Sequence, residues 1–278
     1  GAAGSAELAA KAGEVTGEEL LALGFNMNFA PSLDINENPD NPVIGVRSFG
    51  GTPELVAEMG AGYISGLQHT GMISVAKHFP GHGDTVVDSH DGLPVVEHSA
   101  ERVHETELLP FKEAIEEGVD AIMMSHVAYP ALDPSVIVSG KSGQMIKTPA
   151  SLSNTITTAI AREELGYQGV IITDALGMGA IEQHFGPEEA AVKAIQAGAD
   201  IILMPKSLEA VVPAILAAVK SGDIPEDQVD ESVRRIISLK LKRGLLKEEA
   251  PVPIEEKIAS AAQTVGSADH KEAEEQVA

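Results

Sequence analysis

The sequence predicts an α/β fold of the (β/α)8 TIM-barrel type, and three observations support this prediction. Short apolar segments alternate strictly with longer segments of helical periodicity. The short segments are apolar at nearly every position, as expected of parallel strands that are buried on both faces. Polar side chains cluster at the carboxyl ends of these segments, where such barrels build their sites. A doubly wound sheet is the alternative, but the chain has neither a G-x-G-x-x-G motif nor a P-loop.

The strands are predicted from short apolar runs that are bounded by turn-forming residues. Runs such as A-I-M-M-S-H-V and V-I-I-T-D are too short and too uniformly apolar for amphipathic helices. In chain order, the predicted strands are 25–35, 73–78, 121–127, 170–174 and 200–205. A barrel of this type needs eight strands, so we expect an incomplete barrel with about five of them in this chain.

The helices are predicted from apolar residues at helical spacing together with end signals. Thr52, Ser99 and Ser153 are typical N-caps, prolines begin the helices at 187 and 225, and glycines follow several of the carboxyl ends. In chain order, the predicted helices are 7–23, 53–69, 100–117, 154–165, 187–197, 208–220 and 225–243. We predict a catalytic barrel domain over 1–244 and an acidic linker with a loosely held helix over 245–278, while 128–150 is predicted to be a long loop.

The composition limits the classes of partner. The chain has 278 residues, 44% of them hydrophobic, and a formal net charge of −23, which disfavours nucleic acid and anionic membranes. No apolar run reaches the roughly 18 residues of a membrane span, and no signal peptide is visible at the N-terminus. There is no cysteine for disulfides or thiolate chemistry. There is also no tryptophan, so we expect a polar ligand to be held by hydrogen bonds and charge.

Residues 75–92, V-A-K-H-F-P-G-H-G-D-T-V-V-D-S-H-D-G, concentrate the candidate chemistry. Lys77 and His78 end a predicted strand. Lys77 could form a Schiff base or bind an anion or a hydroxyl, and a structural salt bridge fits its spacing equally well. Asp88 and His90 are two residues apart, so in an extended loop the carboxylate can orient the imidazole and favour its charged form. A solvated loop without function is the alternative for this pair.

Two further candidates lie outside this stretch. Asp174 ends the predicted strand 170–174, where a carboxylate can be a nucleophile or a general base, or simply a helix N-cap. Arg47 lies in a predicted loop and is either a ligand-binding residue or part of a surface ion pair.

A metal site is a further alternative. His78, His82, Asp84, Asp88 and His90 are all residues that can bind a metal, but their spacing matches no H-x-H or H-E-x-x-H signature. We therefore expect neither a metal nor another cofactor.

Several segments of the chain resemble those of one known family. The segment K-H-F-P-G-H-G-D-T at 77–85, with D-S-H at 88–90, resembles the bacterial β-N-acetylglucosaminidases of glycoside hydrolase family 3. So do N-F-A-P-S-L-D-I-N near residue 30, R-S-F-G at 47–50 and I-T-D-A-L-G-M-G-A-I at 172–181. The resemblance covers about residues 5–244.

The resemblance implies a retaining glycosidase that removes terminal β-linked GlcNAc through a covalent glycosyl-enzyme intermediate. In it, Asp174 matches the nucleophile, His90 the general acid/base and Asp88 the carboxylate that is paired with His90. The resemblance also implies that sugar hydroxyls are bound by Arg47, Lys77 and His78. It implies cell-wall muropeptides or chitooligosaccharides as substrates and a secreted or wall-associated location, with the cytoplasm as the alternative.

The sequence also departs from the family. Members begin with further strands that include a D-Q-E-G-G-R segment with a sugar-binding Asp, and this chain lacks that segment. It stops near the point where two-domain members continue. We therefore expect a barrel domain that is truncated at the N-terminus and lacks the C-terminal domain. The alternatives to hydrolysis are phosphorolysis that releases GlcNAc-1-phosphate and an inactive fragment that needs self-association or a complementing N-terminal segment.

Overall fold

A computed structural model describes residues 1–247 and 252–277 of the chain. The elements in chain order are α1 (Ala6–Ala22), β1 (Met27–Asn28), α2 (Pro53–His69), β2 (Ile73–Phe79), α3 (Ala100–Glu105), α4 (Leu109–Glu116), β3 (Ala121–Met124), β4 (Val136–Val138), β5 (Met145–Lys147), a π-helix (Thr155–Glu164), β6 (Val170–Thr173), α5 (Gly179–Glu182), α6 (Pro187–Ala197), α7 (Leu208–Ser221), α8 (Glu226–Lys242), α9 (Ile254–Thr264) and α10 (Ala268–Val277). Within these residues, the structure contains no helix that is both long enough and apolar enough to cross a bilayer.

The central sheet confirms the predicted α/β class. It contains β1, β2, β3 and β6 in this spatial order, and every pair of neighbours is parallel. The carboxyl ends of parallel strands meet at one edge of the sheet, so residues that follow β2 and β6 lie on the same side.

Both faces of the sheet are buried, which explains why its strands are apolar throughout. On one face, Phe79 of β2 packs edge-to-face on Phe111 of α4 with ring centroids 5.0 Å apart, in a core that also includes Ile122 and Ile171. On the other face, strand residues such as Val75 and Met123 pack with Leu239 of α8.

Two predicted strands, 25–35 and 200–205, are largely irregular in the structure, while 121–127 is shortened to Ala121–Met124. Of the predicted strand 25–35, only β1 is regular, because Pro31 has no amide hydrogen to continue the ladder. The rest of this segment still follows β2, with an isolated bridge between Ser32 and Lys77. The predicted strand 200–205 is reduced to a single parallel bridge between Ile172 and Ile201. The amide of Leu203 is bonded instead to the side-chain hydroxyl of Thr173.

Some predicted helices and loops also differ. The predicted helix 100–117 is divided into α3 and α4, because Pro110 lies in the first turn of α4 and lacks the hydrogen that a continuous helix needs. Pro225 is the N-cap of α8 and not its first residue. The predicted loop 128–150 contains the antiparallel hairpin β4–β5. Part of the predicted linker, residues 248–251, lies outside the described residues, and α9 and α10 follow it.

Helix α8 is held at the amino ends of the strands by two buried carboxylates. Asp200 accepts bonds from Arg162 at 2.7 Å and from Arg235 of α8 at 2.9 Å. Asp120, which precedes β3, pairs with Arg243 at 2.6 Å and with Lys242 at 2.9 Å. These ion pairs lie at the opposite end of the strands from the candidate catalytic residues, so they support the fold and not the site.

Candidate active site

The carboxyl ends of β2 and β6 bring three of the predicted site residues together. The Nε2 atom of His78 lies 4.0 Å from Oδ2 of Asp174, which directly follows β6. The amide of Asp174 donates to the carbonyl of Met124 at 2.9 Å, so the parallel ladder fixes its backbone. The register of β2 shifts between Lys77 and Phe79, and such an irregularity re-aims the side chains beside it.

A buried carboxylate orients the imidazole of His78. Oδ2 of Asp34 lies 2.7 Å from Nδ1 of His78, and Oδ1 of Asp34 accepts the His78 amide at 3.2 Å. The hydroxyl of Ser32 donates to the same carboxylate at 2.7 Å. Burial alone would raise the pKa of Asp34, but the interactions with His78 and Ser32 hold it well below its ordinary value. Asp34 is therefore ionised and keeps Nε2 of His78 directed toward Asp174.

Lys77 is half-buried between cationic and anionic groups. Burial, together with the positive charge of Arg47, lowers the pKa of the Lys77 ammonium, and the charges of Asp174 and Asp34 partly offset this shift. Lys77 thus lies close enough to Arg47 and Asp174, two other predicted site residues, to interact with their charges. The guanidinium of Arg47 is held by the carbonyl of Val43, with its Nε atom at 3.1 Å and Nη2 at 2.9 Å.

The predicted acid/base pair is formed in the loop that follows β2. Nδ1 of His90 lies 2.7 Å from Oδ1 of Asp88, and the His90 amide donates to the same oxygen at 2.9 Å. Burial acts to raise the pKa of Asp88, but these two hydrogen bonds outweigh it and lower the pKa. The side chain of His90 is 65% exposed and therefore accessible to a ligand.

The structure does not bring the acid/base pair into direct contact with Asp174. Within the described residues, the ring nitrogens of His90 approach no carboxylate other than that of Asp88 to within 4.0 Å. The backbone of the loop is nevertheless tied to the segment after Asp174. The amide of Gly179 donates to the carbonyl of His90 at 3.1 Å, and the amide of Ala180 donates to that of Ser89 at 2.9 Å.

Asp174 is not a helix N-cap, because the next helix, α5, begins at Gly179 with Met178 as its N-cap. One oxygen of Asp174, Oδ1, accepts the amide of Ala175 at 2.7 Å. The other oxygen, Oδ2, is the one that faces His78. This carboxylate therefore has one oxygen held by the backbone and one directed into the site.

Three supporting residues were not among the predicted site residues. Asp34 follows a short apolar segment and could have been found as a carboxylate at a strand end. His126 is fully buried, with Nδ1 2.7 Å from the hydroxyl of Ser151 and Nε2 3.0 Å from the carbonyl of Ala175, next to Asp174. His82, which the sequence singled out only as a candidate metal ligand, is buried in the loop segment that precedes His90.

The five candidate metal ligands do not converge. Within residues 1–247 and 252–277, no group of three or more His, Asp and Glu side chains is arranged to hold a metal ion. His78 is bonded to Asp34, and His90 to Asp88. His82 is hydrogen-bonded to hydroxyl groups on both ring nitrogens, and Asp84 is bonded to His98.

Comparison with known proteins identifies the family. Residues 1–239 match the Glycosyl hydrolase family 3 N terminal domain. The chain belongs to glycosyl hydrolase family 3. Beta-hexosaminidase A of Pseudoalteromonas piscicida is 40% identical over 280 residues, which cover 97% of this chain and 45% of that protein.

Solved structures are consistent with the same assignment. A glycoside hydrolase family 3 β-N-acetylglucosaminidase from Paenibacillus sp. str. FPU-7 superposes with a TM-score of 0.83 at 47% identity, covering 94% of this chain and 50% of that one. The β-glucoside phosphorylase BglX gives a TM-score of 0.87 at 28% identity, covering 98% and 48%. The fold is thus TIM-barrel-like, and the chain spans about half the length of these matched proteins.

Proposed function

We propose that this chain carries the active site of a retaining β-N-acetylglucosaminidase. The observation that carries this proposal is the 4.0 Å approach of His78 Nε2 to Oδ2 of Asp174, in a site whose loop also holds the Asp88–His90 pair. The proposed site places the nucleophile Asp174, the sugar-binding His78 and the proton-transfer pair Asp88–His90 at one edge of the sheet. The names of the matched hexosaminidases and N-acetylglucosaminidase support the hexosaminidase activity.

In the first step, the carboxylate of Asp174 attacks the anomeric carbon of the terminal GlcNAc residue. A bond forms between a carboxylate oxygen and this carbon while the bond to the leaving oxygen breaks. The imidazolium of His90 gives its proton to that oxygen, and Asp88 stabilises the charged ring. In the second step, the oxygen of a water molecule attacks the anomeric carbon while neutral His90 takes a proton from it. The bond between this carbon and Asp174 breaks, which releases the sugar and restores the carboxylate.

The proposed acid/base differs physically from the usual pair of carboxylates in retaining glycosidases. Neutral imidazole adds no negative charge beside the nucleophile, so an anionic acceptor is repelled less than it would be by a second carboxylate. Phosphorolysis is therefore the second candidate function, and the similarity to a β-glucoside phosphorylase supports it. Addition of inorganic phosphate and detection of GlcNAc-1-phosphate separates the two reactions.

We assign Arg47, Lys77 and His78 to the hydroxyl groups of the GlcNAc ring. The absence of tryptophan from the chain means that these polar groups, and not an indole face, hold the sugar. The proposed substrates are GlcNAc-containing muropeptides or chitooligosaccharides. We also propose a secreted or wall-associated location, with the cytoplasm as the alternative.

The barrel is proposed to be incomplete within this chain. Four parallel strands form its sheet, and α7 exposes an apolar stripe of Leu208, Val212 and Leu216 at a spacing of four residues. Helix α8 exposes a second stripe that includes Val233 and Ile237. Such surfaces usually pack against another element. The alternative to an active chain is therefore a chain that stays inactive until a complementing segment or a second copy covers these stripes.

Hydrolysis of 4-nitrophenyl N-acetyl-β-glucosaminide tests the proposal. We expect release of nitrophenol by the wild-type chain and a loss of at least about a thousandfold in Asp174→Asn, because the amide cannot act as a nucleophile. Asp223→Asn, an exposed change distant from the site, is the control. Full activity in Asp174→Asn contradicts the assignment of the nucleophile, whereas a folded but inactive wild-type chain supports the fragment alternative.

A further inference from the structure

Ser89 is buried although both of its neighbours face solvent. Its exposed fraction is 1%, whereas the side chains of Asp88 and His90 are 28% and 65% exposed. A buried hydroxyl requires a hydrogen-bond partner. The Oγ atom of Ser89 finds this partner in Nε2 of His82, at 2.9 Å.

His82 is held in one orientation by Thr85. Its Nδ1 atom lies 2.8 Å from Oγ1 of Thr85, and this hydroxyl donates its own proton to the carbonyl of His82 at 3.1 Å. These contacts are satisfied with the hydrogen of the neutral ring on Nδ1, so that Nε2 accepts the hydroxyl hydrogen of Ser89. Burial lowers the pKa of His82 and so favours this neutral form.

His82 is also fixed relative to the sugar-binding side of the site. The side-chain amide of Asn41 donates to the carbonyls of His82 and Gly83, at 2.8 and 3.0 Å. The oxygen of the same Asn41 side chain accepts the amide of Ile44 at 2.7 Å. The ring of His82 meets that of His78 edge-on, with centroids 5.9 Å apart. His82 is thus held in place between the proposed sugar-binding residue His78 and the acid/base loop, which is the segment 88–90 that carries Asp88 and His90.

We propose that Ser89 is a positioning residue for the acid/base pair, because its hydroxyl anchors on His82 the backbone that carries Asp88 and His90. The amides of Gly179 and Ala180 hold the carbonyls of His90 and Ser89 from the other side. This inference rests on the proposed function.

Leaving-group dependence separates a positioning role from a structural one. Departure of 2,4-dinitrophenolate needs no proton from the enzyme, whereas departure of a sugar alcohol does. In Ser89→Ala, we expect kcat/KM for N,N′-diacetylchitobiose to fall by about 10- to 100-fold, which is part of the roughly 10²- to 10⁴-fold that a general acid contributes. For 2,4-dinitrophenyl N-acetyl-β-glucosaminide, we expect the same substitution to lower kcat/KM by no more than about threefold.

Ser232→Ala is the matched control. The hydroxyl of Ser232 is bonded to the carboxylate of Asp200 at 2.7 Å, at the amino ends of the strands, so its loss affects stability without touching the site. Equal slowing of both substrates by Ser89→Ala overturns the proposal and indicates a structural role. A wild-type chain that cleaves neither substrate rejects the proposed function, and the next measurement then decides the role of Ser89.

Ring-nitrogen NMR tests the anchor without any substrate. In the wild-type chain, we expect His82, assigned by comparison with His82→Asn, to be neutral with its hydrogen on Nδ1. In Ser89→Ala, we expect the Nε2 resonance of His82 to shift and the resonances of His90 to broaden. Unchanged His82 and His90 resonances in Ser89→Ala refute the anchor.

Discussion

The pairing of Asp34 with His78 shows what a single buried residue contributes to the site. The neighbourhood of Lys77, His78 and Asp174 was predictable, because the ends of parallel strands meet at one edge of a sheet. The role of Asp34 was not, because 44 residues separate it from His78 and nothing local links the two. Sequence patterns therefore located the groups directed at the ligand more readily than the groups that orient them.

Replacement of Asp34 is predicted to destabilise the fold as well as the site. Asp34→Ala removes the partner of a buried pair, which costs about 3–5 kcal/mol in the free energy of unfolding. Because the native-state pKa of Asp34 is depressed, its contribution is present above the unfolded-state pKa of about 3.9 and is lost as the pH falls below it. Urea unfolding of both proteins at neutral and acidic pH measures this difference.

Asp40→Ala is the matched control for this prediction. Asp40 is exposed in the loop that follows Asp34, and its loss is expected to change the unfolding free energy by no more than about 0.5 kcal/mol. If Asp34→Ala unfolds at the same urea concentration as the wild type, the pair does not stabilise the protein. A difference that stays constant down to strongly acidic pH rules out ionisation of Asp34 as its source.

At the scale of elements, the contact between α5 and the acid/base loop leaves no room for a side chain. A Cβ atom added to Gly179 would lie 2.2 Å from the carbonyl oxygen of His90, whereas one added to Gly177 would meet no atom closer than 3.7 Å. We predict that Gly179→Ala displaces the loop and lowers kcat at least about tenfold on substrates that need acid catalysis. Gly177→Ala, two residues earlier, should retain near-wild-type kcat in the same assay.

Thermal unfolding of both glycine variants complements the kinetics. The displaced loop is exposed around His90, so we expect Gly179→Ala to lose more activity than stability. Equal kcat values for the two variants would show that the loop accommodates the added methyl group without moving the acid/base.

Element ends were predictable where a single residue type determines them. Pro53 and Pro187 begin helices as predicted, and Gly198, with a φ of 115°, follows the end of α6. The hairpin β4–β5 was missed, because each of its strands has only 3 residues and gives too short a run to be recognised as a strand. The break before α4 could have been predicted from Pro110, which interrupts an otherwise helical pattern.

At the scale of the whole molecule, the C-terminal helix α10 is held on α1 by one histidine. Nδ1 of His270 lies 2.9 Å from Glu19, and Nε2 lies 2.8 Å from Glu18. Both acceptors are carboxylates, so the two bonds together require the protonated ring. Hydrogen bonds from His270 to Glu19 and Glu18 raise the pKa of His270 above its ordinary value.

The docking of α10 is therefore predicted to weaken at alkaline pH. The stabilisation is complete below the unfolded-state pKa of about 6.5 and is lost as the pH rises through the raised native-state pKa. Amide hydrogen exchange of residues 268–277, corrected for its intrinsic pH dependence, measures the effect. We expect protection in the wild type to decrease with pH, and protection in His270→Gln to be low throughout. Equal protection of the two proteins at every pH contradicts this role of His270.

The buried ion pairs that Asp120 and Asp200 form with α8 lie apart from the candidate site, so the molecule has two regions with separate roles. The groups proposed to act on substrate lie at one end of the strands, and the buried ion pairs that hold α8 lie at the other. Evolution can therefore adjust thermal tolerance and substrate preference almost independently. In a mutagenised library, variants selected for heat resistance and variants selected for a new aglycone should map to opposite poles of the barrel and combine additively.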